Sequence, residues 1–138
     1  MDMRRLPCRA GSIAILAILL QLPLSSFAAD FYIIGHSAYK LDHSEVREIY
    51  LGEKRFVESE KLNPVDNAAA QAQLLERVVK LDSNKYNTVW VKRGFRDGIN
   101  PPPLKSSDAE VIEFVKRTPG AIGYVNTIAP GVIVIDKY

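Results

Sequence analysis

Side chains with acid, base or ligand chemistry are sparse in this sequence. His36 and His43 are the two histidines, seven positions apart, with Asp42 and Glu45 close by. A metal site needs three or four ligands converging in space, and these two fall on different expected elements, with no HExxH or cysteine pair to complete a set. No metal is therefore expected. Asp66 and Asn67 stand directly ahead of Ala68, Ala69 and Ala70, where the acidic or amide side chain reads as a helix cap. A catalytic group would be sought among His36, Asp66 and Tyr124, but no nucleophile and base form a pair. The sequence holds no GxSxG turn, Walker loop or dinucleotide fingerprint. The expectation is a protein that is not an enzyme and carries no cofactor.

Lys92, Arg93 and Arg96 share one helical stretch with Trp90 and Phe95. Helical spacing sets Trp90 with Tyr86 and Val89 on a core face, so the basic groups read as a solvated surface rather than a nucleic-acid face. Net charge agrees. The first 28 residues hold Arg4, Arg5, Arg9 and Asp2, so the remainder carries 18 less 3 basic and 16 less 1 acidic residues, fifteen of each. A neutral chain has no global field to draw nucleic acid, and any anion site has to be local.

Those first residues have the layout of a secretory signal peptide: arginines, an apolar core from Ile13 to Leu24 broken only by Gln21, then small residues. Cleavage after Ala28 puts Ala28 and Ser26 at the small-residue positions, which makes Ala29 the expected first mature residue and the periplasm the expected compartment. The apolar core is shorter than the roughly 20 residues that span a bilayer. Cys8 precedes that core, whereas a lipoprotein cysteine follows it. The expected mature chain contains no cysteine, so its stability has to come from packing.

The elements that would position these groups alternate between strand and helix. Phe31 to Ile34 reads as a buried strand with Gly35, His36 and Ser37 as its exit loop. Asp42 and Glu45 have capping-box spacing ahead of a helix that buries Val46, Ile49 and Tyr50 and stops at Gly52. Leu62 to Val65 reads as a strand that Pro64 pushes toward an edge. Ala70, Leu74, Leu75, Val78 and Leu81 recur with helical period, Asp82 to Asn84 break that helix, and a third runs from Tyr86 to about Gly98. Asn100 to Pro103 is an extended connector. Ser107 and Glu110 open a fourth helix that buries Val111, Ile112 and Val115, and Val132 to Ile135 forms a last strand. Alternation of this kind predicts an α/β layer with a mostly parallel or mixed sheet and about four helices.

Between the fourth helix and the last strand lies Pro119-Gly120-Ala121-Ile122-Gly123-Tyr124-Val125, a turn followed by a strand apolar on both faces. Gly123 gives up packing inside it, which signals close approach of a ligand, a hinge or a neighbouring helix. This segment, the stretch Val46 to Lys54 with Tyr50-Leu51-Gly52 at its centre, and the run from Trp90 through Phe95 and Gly98 to Pro102 together resemble the phosphate-binding type of periplasmic solute-binding protein of ABC transporters, in order and in spacing. The resemblance spans the chain from about Phe31 to its end. It implies a single lobe of a type 2 periplasmic-binding-protein-like fold over residues 29–138, after a signal peptide at 1–28.

In that family the matching lobe holds phosphate with an arginine and a Ser-Gly-Thr turn at a helix N-terminus, where free backbone N–H groups suit an anion. Here the corresponding residues are Val65-Asp66-Asn67-Ala68-Ala69-Ala70, and both features are missing. The resemblance thus implies either a binding lobe for phosphate or another oxyanion, or an accessory or sensory lobe that has lost tight phosphate binding and meets a membrane transporter or sensor component. A homodimer would rebuild a two-sided cleft. Strand carboxyl ends are where open α/β sheets bind ligands, which makes Gly35, His36, Ser37, Asp66, Asn67, Gly123 and Tyr124 the candidate ligand-binding residues.

Overall fold

A computed structural model describes residues 30–138; the leader and its expected cleavage position lie outside the described residues. Among the described residues no helix is long and apolar enough to cross a membrane. The architecture is mixed α/β with four helices. In chain order the elements are β1 (Tyr32–Gly35), α1 (His43–Tyr50), β2 (Phe56–Val57), β3 (Glu60–Lys61), β4 (Asn63–Pro64), β5 (Asp66–Asn67), α2 (Gln71–Gln73, continuing as a π-helix over Leu74–Val79), α3 (Ser83–Asp97), β6 (Leu104–Lys105), α4 (Asp108–Arg117), β7 (Ala121–Val125) and β8 (Ile133–Lys137).

The main sheet has the order β4-β7-β1-β8. β4 runs parallel to β7, but β1 is antiparallel to both of its neighbours, with Gly35 opposite Ile122 and Tyr32 opposite Val125. Pro64, which lacks a ladder donor, sits on the edge strand β4 as its chemistry demands. The chain then passes straight on, Val65 N–H bonding Ile122 O at 2.8 Å, into β5, which pairs in parallel with β6.

Strand β7 alternates between two apolar layers. Ile122 and Tyr124 face one layer with Phe31 and Ile33 from β1 and its approach, and with Val46, Tyr50, Leu74 and Trp90 from α1, α2 and α3. Ala121 and Val125 face a smaller layer with Ile34, Val65, Val111 and Val115, covered by α4. All five β7 residues are buried. A Cβ on Gly123 would come within 2.6 Å of Val111 Cγ1, 3.0 Å of Val115 Cγ2 and 3.1 Å of Val65 Cγ1. What approaches Gly123 is the neighbouring helix α4.

Local chemistry explains the helix limits. Asp42 and Glu45 close a reciprocal capping box at α1, and Asp82 accepts the Lys85 N–H at the start of α3. Ser107 caps α4 through the Glu110 N–H, although the Glu110 carboxylate reaches back to Ser106 N–H rather than to the cap residue. The second helix differs from the expected one. It begins at Gln71 without a side-chain cap, widens to a π-helix that buries Leu74, Val78 and Val79, and ends with Lys80 in the left-handed region. Asn67 does not cap it, because Asp66 N–H and Ala68 N–H are bonded to Pro103 O and Lys105 O in the β5–β6 pair. The polar stretch before β4 is a small hairpin, β2–β3.

Candidate functional site

The carboxyl ends of β5 and β7 carry a buried polar cluster. Asp66 accepts the Tyr124 hydroxyl on Oδ1 at 2.8 Å and the Tyr86 hydroxyl on Oδ2 at 2.9 Å, and it is only 4% exposed. Burial pushes its pKa up to about 6, against the pull of the two phenol hydrogen bonds; no lysine or arginine contributes. The same burial, with the carboxylate beside them, holds Tyr86 and Tyr124 far above the usual phenol range. Tyr50 is buried against them, its hydroxyl 3.1 Å from Val65 O and 3.3 Å from Ile122 O. Asn67 is fully buried and donates to Tyr124 O at 2.9 Å and Asp108 Oδ1 at 2.7 Å, while its own Oδ1 accepts the Ala69 N–H in an Asx turn.

Asp66 forms part of the floor of a cavity of about 610 Å³, open to solvent between α3 and the Pro-rich connector. Tyr86 and Trp90 line it from the core side, and Phe95, Val91 and Leu104 form its apolar rim. Phe95 is 90% exposed, Val91 57% and Leu104 59%. Asn87, Gln71 and Asn100 supply amides, and among the described residues none with a positive charge lines the cavity. α3 therefore carries two apolar stripes: Tyr86 and Trp90 turn inward, Trp90 donating its indole N–H to Tyr50 O at 3.1 Å, and Val91 and Phe95 turn outward.

Of the seven candidate residues, the structure brings three together: Asp66, Asn67 and Tyr124. Gly123 neighbours them in sequence but faces α4. Gly35, His36 and Ser37 lie at the opposite end of the sheet, because β1 is antiparallel to β7 and its exit loop returns beside Ala121, with His36 N–H bonding Ala121 O at 2.9 Å. His36 Nδ1 is 2.9 Å from Val115 O. Gly35 is packed under Ile135, whose Cδ1 an added Cβ would meet. Ser37 borders a separate surface hollow beside Tyr39 and Glu60.

His43 pairs with Asp136 at 2.8 Å and stacks on Tyr138. Among the described residues no group of three or more His, Cys, Asp or Glu is placed to hold a metal ion. Arg93 is tied to the end of α1 through Leu51 O at 3.1 Å and to Asp97 at 3.3 Å. Residues that sequence reasoning missed are Tyr86 as a partner of Asp66, and the rim residues Val91, Phe95 and Leu104. A signal was present for the rim: Val91 and Phe95 are four apart, off the Tyr86–Trp90 face. No protein-family model matches the chain, and no curated protein matches it.

Proposed function

We propose that this chain is an exported, non-enzymatic binding lobe with the fold of one half of a type 2 periplasmic binding protein, and that it holds a small organic solute in the groove beside Asp66 instead of gripping phosphate. The observation that carries this reading is the groove itself: about 610 Å³, apolar and aromatic at its walls, with a buried carboxylate in its lining and, among the described residues, no positive charge there. Solute pockets usually measure about 300–1,000 Å³ and combine apolar walls with a few placed polar groups. The three segments that resemble phosphate-type binding proteins support the fold, and the mixed α/β layers are compatible with it. The position where that family grips phosphate holds Asp66, whose charge opposes an anion.

A thermal-shift screen of phosphate and sulfate against organic solutes of matching size tests the proposal. Tight binding at 100 times the dissociation constant adds about 2.7 kcal/mol. In a domain of this size that raises Tm by about 10 °C or more. The expected result is a flat response to both anions at millimolar concentration and a rise with an organic solute that Phe95→Ser removes. A large rise with phosphate overturns the reading, and so does a response confined to a protein partner.

A further inference from the structure

We infer that the groove takes a small organic cation, with an ammonium group set against the Asp66 carboxylate and apolar substituents along Trp90 and Phe95. The inference rests on the solute-groove reading and names the ligand class. Three observations carry it. An ionised carboxylate offers about four acceptor directions, and the Tyr86 and Tyr124 hydroxyls occupy one on each oxygen. Asp66 also lines the cavity, so a donor or a positive charge entering there reaches a carboxylate with acceptor capacity left over. Among the described residues no cation neutralises that charge, since none lines the groove and none acts on Asp66.

The walls fit the same ligand. Tyr86, Trp90 and Phe95 bring three aromatic side chains to the cavity that holds the carboxylate. Aromatic faces attract ammonium groups through the ring quadrupole, and the attraction grows where the cation is desolvated. A weakly hydrated, alkylated ammonium loses less on leaving water than a primary one, and its substituents cover the Val91 and Leu104 rim. An anion meets the opposite situation: a buried negative charge and no donor stronger than the amides of Gln71, Asn87 and Asn100.

The test is an NMR titration of the ¹⁵N-labelled protein with three probes of one shape: benzyltrimethylammonium, benzyl alcohol and benzoate. The amides of Val91, Gly94 and Phe95 report the groove. Benzyltrimethylammonium is expected to bind at least tenfold tighter than benzyl alcohol, with no response to benzoate. Asp66→Asn should abolish that tenfold preference while leaving the weak response to benzyl alcohol, and Phe95→Ala should weaken both. Where Asp66→Asn fails to fold, the native protein supplies the same contrast. The probe's charge is fixed and Tyr50, Tyr86 and Tyr124 stay protonated throughout, so its affinity should fall several-fold from pH 7.5 to pH 5 as the carboxylate takes up a proton. Equal binding of benzyl alcohol or benzoate overturns the cation inference and leaves the groove reading standing, as does a preference that survives both the substitution and the pH change. Silence of the groove amides to all three probes overturns the groove reading itself.

Discussion

Asp66 ionises against its surroundings. Its two oxygens rest on phenol hydroxyls, it is buried, and among the described residues no cation offsets its charge, so burial pushes its pKa up to about 6 from the ordinary 3.8. The sign of the linkage follows: a carboxyl whose folded pKa is raised contributes stability that is full below about 3.8 and lost as pH rises through about 6. The groups facing it, Tyr50 from α1, Tyr86 from α3 and Tyr124 from β7, remain protonated over that window. Two pKa units correspond to about 3 kcal/mol. Asp66→Asn cannot titrate, so the stability of the native protein relative to that variant should fall by roughly 2 kcal/mol between pH 4 and pH 7, part of the full loss lying below pH 4. Urea unfolding of both proteins at the two pH values measures the difference; a flat or rising difference would contradict the burial argument. The sequence showed Asp66 as a helix cap because caps are local. Its actual partners lie 20 and 58 residues along the chain, and only tertiary folding brings them to it.

At the scale of elements, β7 and α4 are fitted through the absence of one side chain. Gly123 leaves room for Val111, Val115 and Val65, three β-branched residues with little rotamer freedom to give way. Gly123→Ala should therefore destabilise the fold by about 1–3 kcal/mol, the usual range for overpacking. Val111 is the nearest obstacle, so adding Val111→Ala should recover part of that loss even though the same change alone opens a cavity; a double-mutant cycle from chemical denaturation shows the coupling. Gly120 is different: its φ is +77° and a Cβ there would run into Lys61 O, so the obstacle is backbone and no neighbouring truncation relieves Gly120→Ala. The same elements show what was legible beforehand. Helices α1 and α4 could be read with their starts, because capping residues and helical period are local signals, and the buried β7 could be read from its apolar run; α3 could be read from its period, but Asp82–Asn84, read as a break ahead of Tyr86, are its cap and first turn. Strand direction could not. Alternation of strand and helix sets layers, but the partners of β1 are the last two strands of the chain, and their antiparallel pairing sends Gly35–Ser37 to the far end of the sheet from Asn67. The π-helical turn after Gln73 was equally hidden, since its apolar positions fit the α-helical period well enough.

For the whole molecule, the outward stripe of α3 is left uncovered while net charge over the described residues is zero. Phe95, Val91 and Leu104 stand together at the groove rim, and contiguous exposed apolar surface of this kind marks a contact site. A chain without net charge has little self-repulsion to keep such patches apart at neutral pH. Concentrated protein should accordingly self-associate weakly, and more strongly as sulfate is added, because excluded salts favour apolar contact. Phe95→Ser removes the most exposed ring of the patch and none of the core, so it should abolish the concentration dependence of the sedimentation coefficient while changing stability by no more than about 0.5 kcal/mol. Sedimentation velocity over a concentration series, paired with thermal melts of both proteins, measures the two effects separately. Self-association that persists in Phe95→Ser would move the contact elsewhere, and the edge strand β8, where Ile133 and Val134 are also exposed and one side of the ladder is unpaired, is the surface it would then identify.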